Sequence, residues 1–162
     1  SRIDDAGLTS LAECRSLRHL ELNSTPISDA GLARLSGLTT LETLNLTGTR
    51  VTGAGLVHLK PLVRINRLSF NGTSITLSDV ARLFVRGQGR SLTEALRAMG
   101  LGRLDTRGKI VEIDVAGTEF GDAELQLLEA VSTLKELHLA ATRVTDAGMQ
   151  HVGQLRNLER LY

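Results

Sequence analysis

The sequence has no tryptophan, one tyrosine and three phenylalanines, so aromatics make up only 2% of its 162 residues. With 41% hydrophobic residues overall, any core has to be almost wholly aliphatic, and leucine has to supply most of it. One cysteine, Cys14, excludes an internal disulfide framework and the Cys-rich flanking caps that many extracellular repeat proteins carry. Nowhere do about 18 apolar residues run together, so no membrane span is predicted. The opening residues, SRIDDAG, lack both the basic and the apolar region of a signal peptide, although the chain does not start with Met and an upstream signal has room to have been removed. Charge of one sign is also missing: 19 basic against 18 acidic residues leave +1, and bulk charge draws the chain neither to nucleic acid nor to an anionic membrane. The length fits one domain or two small ones.

What is present is a repeat. LRHLELNSTPISDAGLARL from Leu17, LETLNLTGTRVTGAGLVHL from Leu41 and INRLSFNGTSITLSDVARL from Ile65 follow at 24-residue spacing, and the pattern returns at Ile110 and Leu134. Thr25, Thr49, Thr73, Thr118 and Thr142 share one column; Ile27, Val51, Ile75, Phe120 and Val144 share the next apolar one. Each unit ends its Leu-x-x-Leu-x-Leu stretch in strict alternation, as at Leu20 and Leu22 or Leu44 and Leu46, which predicts a short strand with one buried face. Ser28, Thr52 and Thr145 stand where a helix N-cap is expected, before apolar residues at helical spacing such as Leu32, Leu35 and Leu38. Asp29 and Asp146 read as first-turn carboxylates suited to the helix dipole. Such a unit cannot bury its apolar face alone, so stability has to come from stacking neighbours. The Thr column reads as structural, because turn backbone buried between repeats needs a donor and an acceptor. Cys14, 24 residues before Leu38 in an apolar helix column, reads as a small buried hydrophobe.

These segments resemble the leucine-rich repeat family. The form T-x-[IV]-[ST]-D-A-G-[LM] is similar to bacterial, planctomycete-type 24-residue repeats and to the cysteine-containing, ribonuclease-inhibitor-like class, from which it departs by placing Thr in the ladder column. The resemblance implies an α/β solenoid, or horseshoe, with parallel strands on the concave face, helices on the convex face and recognition on the strand side.

The period breaks once. Thr73 to Thr118 spans 45 residues, nearly a second period. Within the excess, Ser91 and Glu94 have capping-box spacing, Gly100 is a C-terminal stop, and Asp105 to Gly108 forms a turn between two apolar alternations, consistent with a hairpin. We therefore expect repeat blocks at 1–86 and 110–162, joined by a helix and hairpin at 87–109 that keep the core continuous. Both ends of the chain fall inside a repeat, without the polar caps usual at solenoid termini; this suggests a piece of a longer array with possible end-to-end self-association.

Catalytic chemistry is not evident. The four histidines, His19, His58, His138 and His151, are too scattered for a metal site, and Glu112 and Asp114 share a strand face with no nucleophile or base to complete them. No cofactor motif is present. Strand phase places His19, Glu21 and Asn23, then Thr43, Asn45 and Thr47, Arg67, Ser69 and Asn71, Glu112, Asp114 and Ala116, and Glu136, His138 and Ala140 on the outward face. Of the residue types that dominate interfaces, only Arg67 and, at the edge, Tyr162 appear. A second candidate lies in the insertion, where Arg82, Arg86, Arg90, Arg97, Arg103, Arg107 and Lys109 oppose only Glu94 and Asp105. There Arg86, Gly87, Gly89, Arg90 and Ser91 are the candidates for cradling an anion, the alternative being a solvated linker. The expected function is a non-catalytic protein-interaction module. The alternatives are a substrate-positioning segment of a larger enzyme, kinase or ubiquitin-ligase assembly, and a structural spacer.

Overall fold

The computed structural model describes residues 3–89 and 91–162. Its first three strands, β1 (His19–Glu21), β2 (Thr43–Asn45) and β3 (Arg67–Ser69), lie side by side in parallel. Their register is one repeat per strand, with Leu20, Leu44 and Leu68 in one row. Alternation turns that row and Leu22 and Leu46 into the core. Each strand is only three residues long because the chain then turns sharply, and the threonine column closes the turn. Thr25, Thr49, Thr73, Thr118 and Thr142 each donate their hydroxyl to the carbonyl three residues earlier, at 2.5–2.7 Å. The hydroxyls of Thr73 and Thr118 also accept from the amides of Ile75 and Phe120.

On the opposite side lie short helical segments: 3-10 turns at Gly7–Glu13 and Gly55–Leu59, and the α-helices α1 (Asp29–Arg34) and α2 (Leu77–Ala81), the latter continuing as a π-helical stretch, Arg82–Gly87. Ser28 caps α1 as expected, accepting from Ala30 N. Thr52 and Thr145 instead accept from Ala54 and Ala147, in the bends before their helical segments.

The aspartates of the repeat do more than face a helix dipole. Asp5 accepts from both the amide and the hydroxyl of Ser28, Asp29 from those of Thr52, and Asp122 from those of Thr145. Each is therefore a staple to the next repeat, 23 residues on. The glycine column, which closes a D-A-G triplet at Gly31 and Gly148 and a G-A-G triplet at Gly55, makes room for it: a Cβ at Gly31, Gly55 or Gly148 would collide with the carboxylate of Asp5, Asp29 or Asp122. At the third junction the two residues are exchanged. Gly53 stands in the aspartate column and Asp79 in the glycine column, and Asp79 serves Thr76 from within its own repeat.

The insertion forms a helix, α3 (Leu92–Ala98), and a strand, β4 (Gly102–Leu104), antiparallel to β5 (Ile110–Asp114). Ser91 and Glu94 make the expected capping box. Gly100 follows the last turn in the left-handed region at φ 70°. The Asp105 carboxylate accepts from the amides of Arg107 and Lys109 and closes the hairpin turn. The second sheet runs β4-β5-β6-β7, with β6 (Glu136–His138) and β7 (Arg160–Leu161) parallel to β5. Helices α4 (Asp122–Leu128) and α5 (Met149–Val152) lie behind it.

Two expectations need correction. The core is not continuous: buried residues form one cluster from Leu8 to Phe84, with Ala95 and Ala98, and a second from Ile110 to Leu155, with Leu77 and Leu96. Helix α3 is shared between them, and Met99 packs against both. The insertion interrupts the sheet but not the helical side, where Ser78 of α2 donates to the buried carboxylate of Glu124 in α4 at 2.5 Å. Glu124 also accepts from Gly121 N. The second correction is Cys14, which is exposed. Leu38 and Leu62 are buried because repeats pack on both sides of them, whereas Cys14 belongs to the first repeat, and no described residues stack on its outer side.

Candidate functional site

The predicted outward residues do line the solvent side of the strands, but the two sheets treat them differently. In the first sheet His19, Thr43 and Arg67 stand in one row across β1, β2 and β3, and none of their side chains has a hydrogen-bond or ion-pair partner among the described residues. Glu21 accepts from the Asn45 side-chain amide at 2.6 Å, and Asn45 Oδ1 accepts from Thr47 N. Asn23 and Asn71 are exposed and Ser69 is half-buried. Helix α3 borders this face. With the strand residues His19, Thr43 and Arg67, and with Glu42 and Asn66 just before β2 and β3, its Glu94 and Arg97 line a polar cavity of about 600 Å³. Nothing in the spacing of the insertion shows that its helix comes to lie beside Arg67; this is a tertiary fact.

In the second sheet the same positions satisfy one another. Glu112, Glu136 and Arg160 form a row across β5, β6 and β7, and Arg103 of β4 lies opposite Glu112. Arg103 bonds Glu112 and reaches Glu136 at 3.3 Å, while Arg160 closes on Glu136 from the other side. Two facing glutamates are thus held between two arginines, which offsets their mutual repulsion. The Arg160 hydrogen bond holds the Glu136 carboxyl below its ordinary range, with the charges of Arg160 and Arg103 adding to the effect, and the Arg103 and Arg160 guanidiniums are correspondingly raised. In the next row Asp114, His138 and Tyr162 follow one another. The His138 and Tyr162 rings stack with centroids 4.4 Å apart, and the Asp114 side chain accepts from Ala116 N. His138 Nε2 lies 3.6 Å from Glu112 and has no hydrogen-bond partner.

The expected anion cradle has a different occupant. Ser91 N donates to the Glu94 carboxylate at 2.8 Å, so an acid of the chain itself already sits at the start of α3. The Gln88 side chain turns back and donates to the carbonyls of Leu59 and Leu62. Gly89 is exposed with φ 67°. Arg86 is exposed, Gly87 packs near the stem of Lys60, and Arg90 lies outside the described residues. The basic surplus of the insertion is partly neutralised from neighbouring elements, by Asp79 for Arg82 and by Glu112 and Glu136 for Arg103. Among the described residues no group of three His, Cys, Asp or Glu could hold a metal ion, and no helix is long and apolar enough to cross a membrane.

Strands, ladder and staples repeat at the same interval, so the fold is a repeat array of parallel strands backed by short helical segments. Residues 13–36, 37–59 and 132–152 match the leucine-rich repeat family model, so the chain carries leucine-rich repeats in both of its sheets. Among solved structures, an internalin C2 from Listeria monocytogenes aligns at 20% identity, covering 95% of this chain and 54% of that one, with a TM-score of 0.47. An internalin (inlF) from the same organism aligns at 17% identity over 95% of this chain and 56% of that one, with a TM-score of 0.41. A chain from an octameric complex of latrophilin 3, Unc5D and the leucine-rich repeat protein FLRT2 aligns at 14% identity over 99% of this chain and 56% of that one, with a TM-score of 0.43. This chain thus spans about half the length of each. Comparison with curated proteins found no match.

Proposed function

We propose that the chain is a protein-interaction module, without catalysis of its own, that reads a macromolecular partner through the outward face of β1, β2 and β3. The observation that carries this reading is the row His19, Thr43 and Arg67, without hydrogen-bond or ion-pair partners among the described residues and walled on one side by α3. A guanidinium that no carboxylate of its own chain holds keeps its bidentate hydrogen-bonding capacity for a partner. The second sheet has already spent that capacity on Arg103, Glu112, Glu136 and Arg160.

The reading has further parts. The repeat blocks 1–86 and 110–162, joined through 87–109, form a horseshoe-type arc with the strands inside. The threonine ladder supports placing the repeats with the bacterial, planctomycete-type form, near the ribonuclease-inhibitor-like class. The reading extends to end-to-end self-association of the outermost repeats, although stacking in repeat register would set Asp146 against Asp4.

The test is affinity capture with the intact chain and two charge reversals. Arg67→Glu should lose the captured partner, whereas Arg156→Glu, at an exposed position on the helical side, should keep it. Capture that survives Arg67→Glu and fails with Arg156→Glu assigns recognition to the helical face.

A further inference from the structure

The interruption between the two sheets leaves open two backbone amides of a kind that the β1–β2, β2–β3 and β5–β6 junctions close. Leu22 N and Ser24 N donate to Asn45 O and Thr47 O; Leu46 N and Gly48 N donate to Ser69 O and Asn71 O; Val115 N and Gly117 N donate to His138 O and Ala140 O. At the third repeat the equivalent donors are Phe70 N and Gly72 N, and neither has a hydrogen-bond partner among the described residues. Two donors, in the spacing of a parallel strand, therefore face outward from β3.

They face a cleft rather than bulk solvent. On the near side it is lined by residues 70–76 and on the far side by residues 116–119, with a volume of about 740 Å³. It continues into a smaller hollow of about 90 Å³ among Leu68, Phe70, Ile75, Met99, Val115 and Phe120. Two of the three phenylalanines of the chain thus stand on its two walls. The only charges on the cleft walls are Glu119 and Arg143, and these pair with each other. Natural edge strands are usually blunted by charge or proline; β3 carries a charge at its first residue, Arg67, but residues 68–78, which run along the gap, contain neither.

We propose that this gap is a binding site for an uncharged, extended peptide segment of a partner, which adds as a short parallel strand beside β3. Strand addition supplies its affinity through the main chain and its selectivity through alternate side chains. The repeats themselves define the fit. Wherever a strand occupies this place, the carbonyls of residues i and i+2 accept the two amides while an apolar residue between them enters the core, as in Asn45-Leu46-Thr47 or His138-Leu139-Ala140. A polar–Leu–polar segment meets Phe70 N and Gly72 N in the same way and sends its leucine into the apolar hollow. The neutral walls favour a neutral segment over a charged one, which would leave its charge unpaired. This surface is separate from the outward row of Arg67.

The probe is the blocked heptapeptide TLNLTGT, which copies residues 43–49, titrated into the isotope-labelled chain. The expected result is amide shifts at Phe70, Gly72 and residues 116–119, with hydrogen exchange at Phe70 and Gly72 slowed about tenfold or more at saturation. Replacing the central leucine to give TLNDTGT should abolish the effect. Phe70→Ala and Phe70→Pro both remove the ring, but only proline removes the donor; proline should therefore bind about tenfold more weakly than alanine, the worth of one hydrogen bond. If Phe70→Pro does not fold, the aspartate peptide and the exchange of the two amides still decide. Shifts confined to the open edge at Ala141 and Leu161, or no slowing at Phe70 and Gly72 at about millimolar peptide, would overturn the proposal.

Discussion

The two repeat blocks use the same alternation and the same ladder and yet present opposite surfaces. In the first sheet the outward row His19, Thr43 and Arg67 has no partners among the described residues; in the second, Arg103, Glu112, Glu136 and Arg160 bind one another across four strands. A solenoid face can therefore be tuned one repeat at a time, because side chains one repeat apart are direct neighbours in the sheet. A charge in one unit is available or consumed according to its match in the next. The outward row of the first block is thus open among the described residues, while that of the second holds its own strands together.

The sharpest way to test the equivalence of the two cores is to empty one position in each. Leu44 and Leu137 are both fully buried central-strand residues, so Leu44→Ala and Leu137→Ala should each cost about 2–5 kcal/mol in denaturant melts. Thr43→Ala, on the outward side of the same strand, should change little, and equal small effects at positions 43 and 44 would mean that the strand phase is wrong by one residue.

The connection between the blocks should be the next most sensitive point. Glu124→Ala removes the buried carboxylate that joins Ser78 to Gly121, with an expected loss of about 1–3 kcal/mol. Because it is the polar tie across the interrupted core, the unfolding transition should also broaden and its denaturant slope should fall. A single sharp transition with an unchanged slope would show that α3 and Met99 alone keep the blocks cooperative.

Staples can be checked by a cycle in the first block. Gly55→Ala drives a methyl into the Asp29 carboxylate and should cost about 1–3 kcal/mol. Combined with Asp29→Ala, much of that clash should disappear, so the double variant should lose less than the sum of the two. Strict additivity would remove the staple from the explanation of the glycine column.

The smallest effect is a difference in acid response. The described carboxyls held below their ordinary range are Asp105, Asp122 and Glu136, all in the second half of the chain; the main causes are the amide of Lys109, the amide of Thr145 and the Arg160 guanidinium respectively. A carboxyl lowered in the folded state contributes stability above its unfolded value, near 3.8 for Asp or 4.5 for Glu, and loses it as pH falls through the lower folded value. Amide exchange followed downward from pH 5 should therefore show β5, β6 and α4 opening before β1 and β2. Simultaneous opening would mean that acid acts on shared features of both blocks.

Much of this architecture was legible in the residues. Strict alternation at Leu20 and Leu22 or Leu44 and Leu46 leaves one phase for a strand, and five threonines in one column left little besides a structural role. Ser91, Glu94 and Gly100 marked both ends of the inserted helix. The exchange of Gly53 and Asp79 was visible too, but its meaning required the neighbouring repeat. Cys14 was misplaced because column position says which way a side chain points and not whether a neighbour covers it. The anion cradle was filled by Glu94 because a capping box and an anion site draw on the same amides, and here the local carboxylate, already tethered three residues away, takes them.

By itself, then, the sequence determined the quantities that are local or periodic: the short strands, the parallel register one repeat apart, the inward leucines, the threonine-closed turns and the place where the period fails. Only the tertiary structure decided the rest. Helix α3 comes to stand beside Arg67, Glu124 ties the helical side across the break, the charges of the second sheet cancel while those of the first do not, and Phe70 and Gly72 are left with open amides. Each of these depends on which residues from distant repeats or from the insertion meet in space, and period and alternation set only the spacing within the stack.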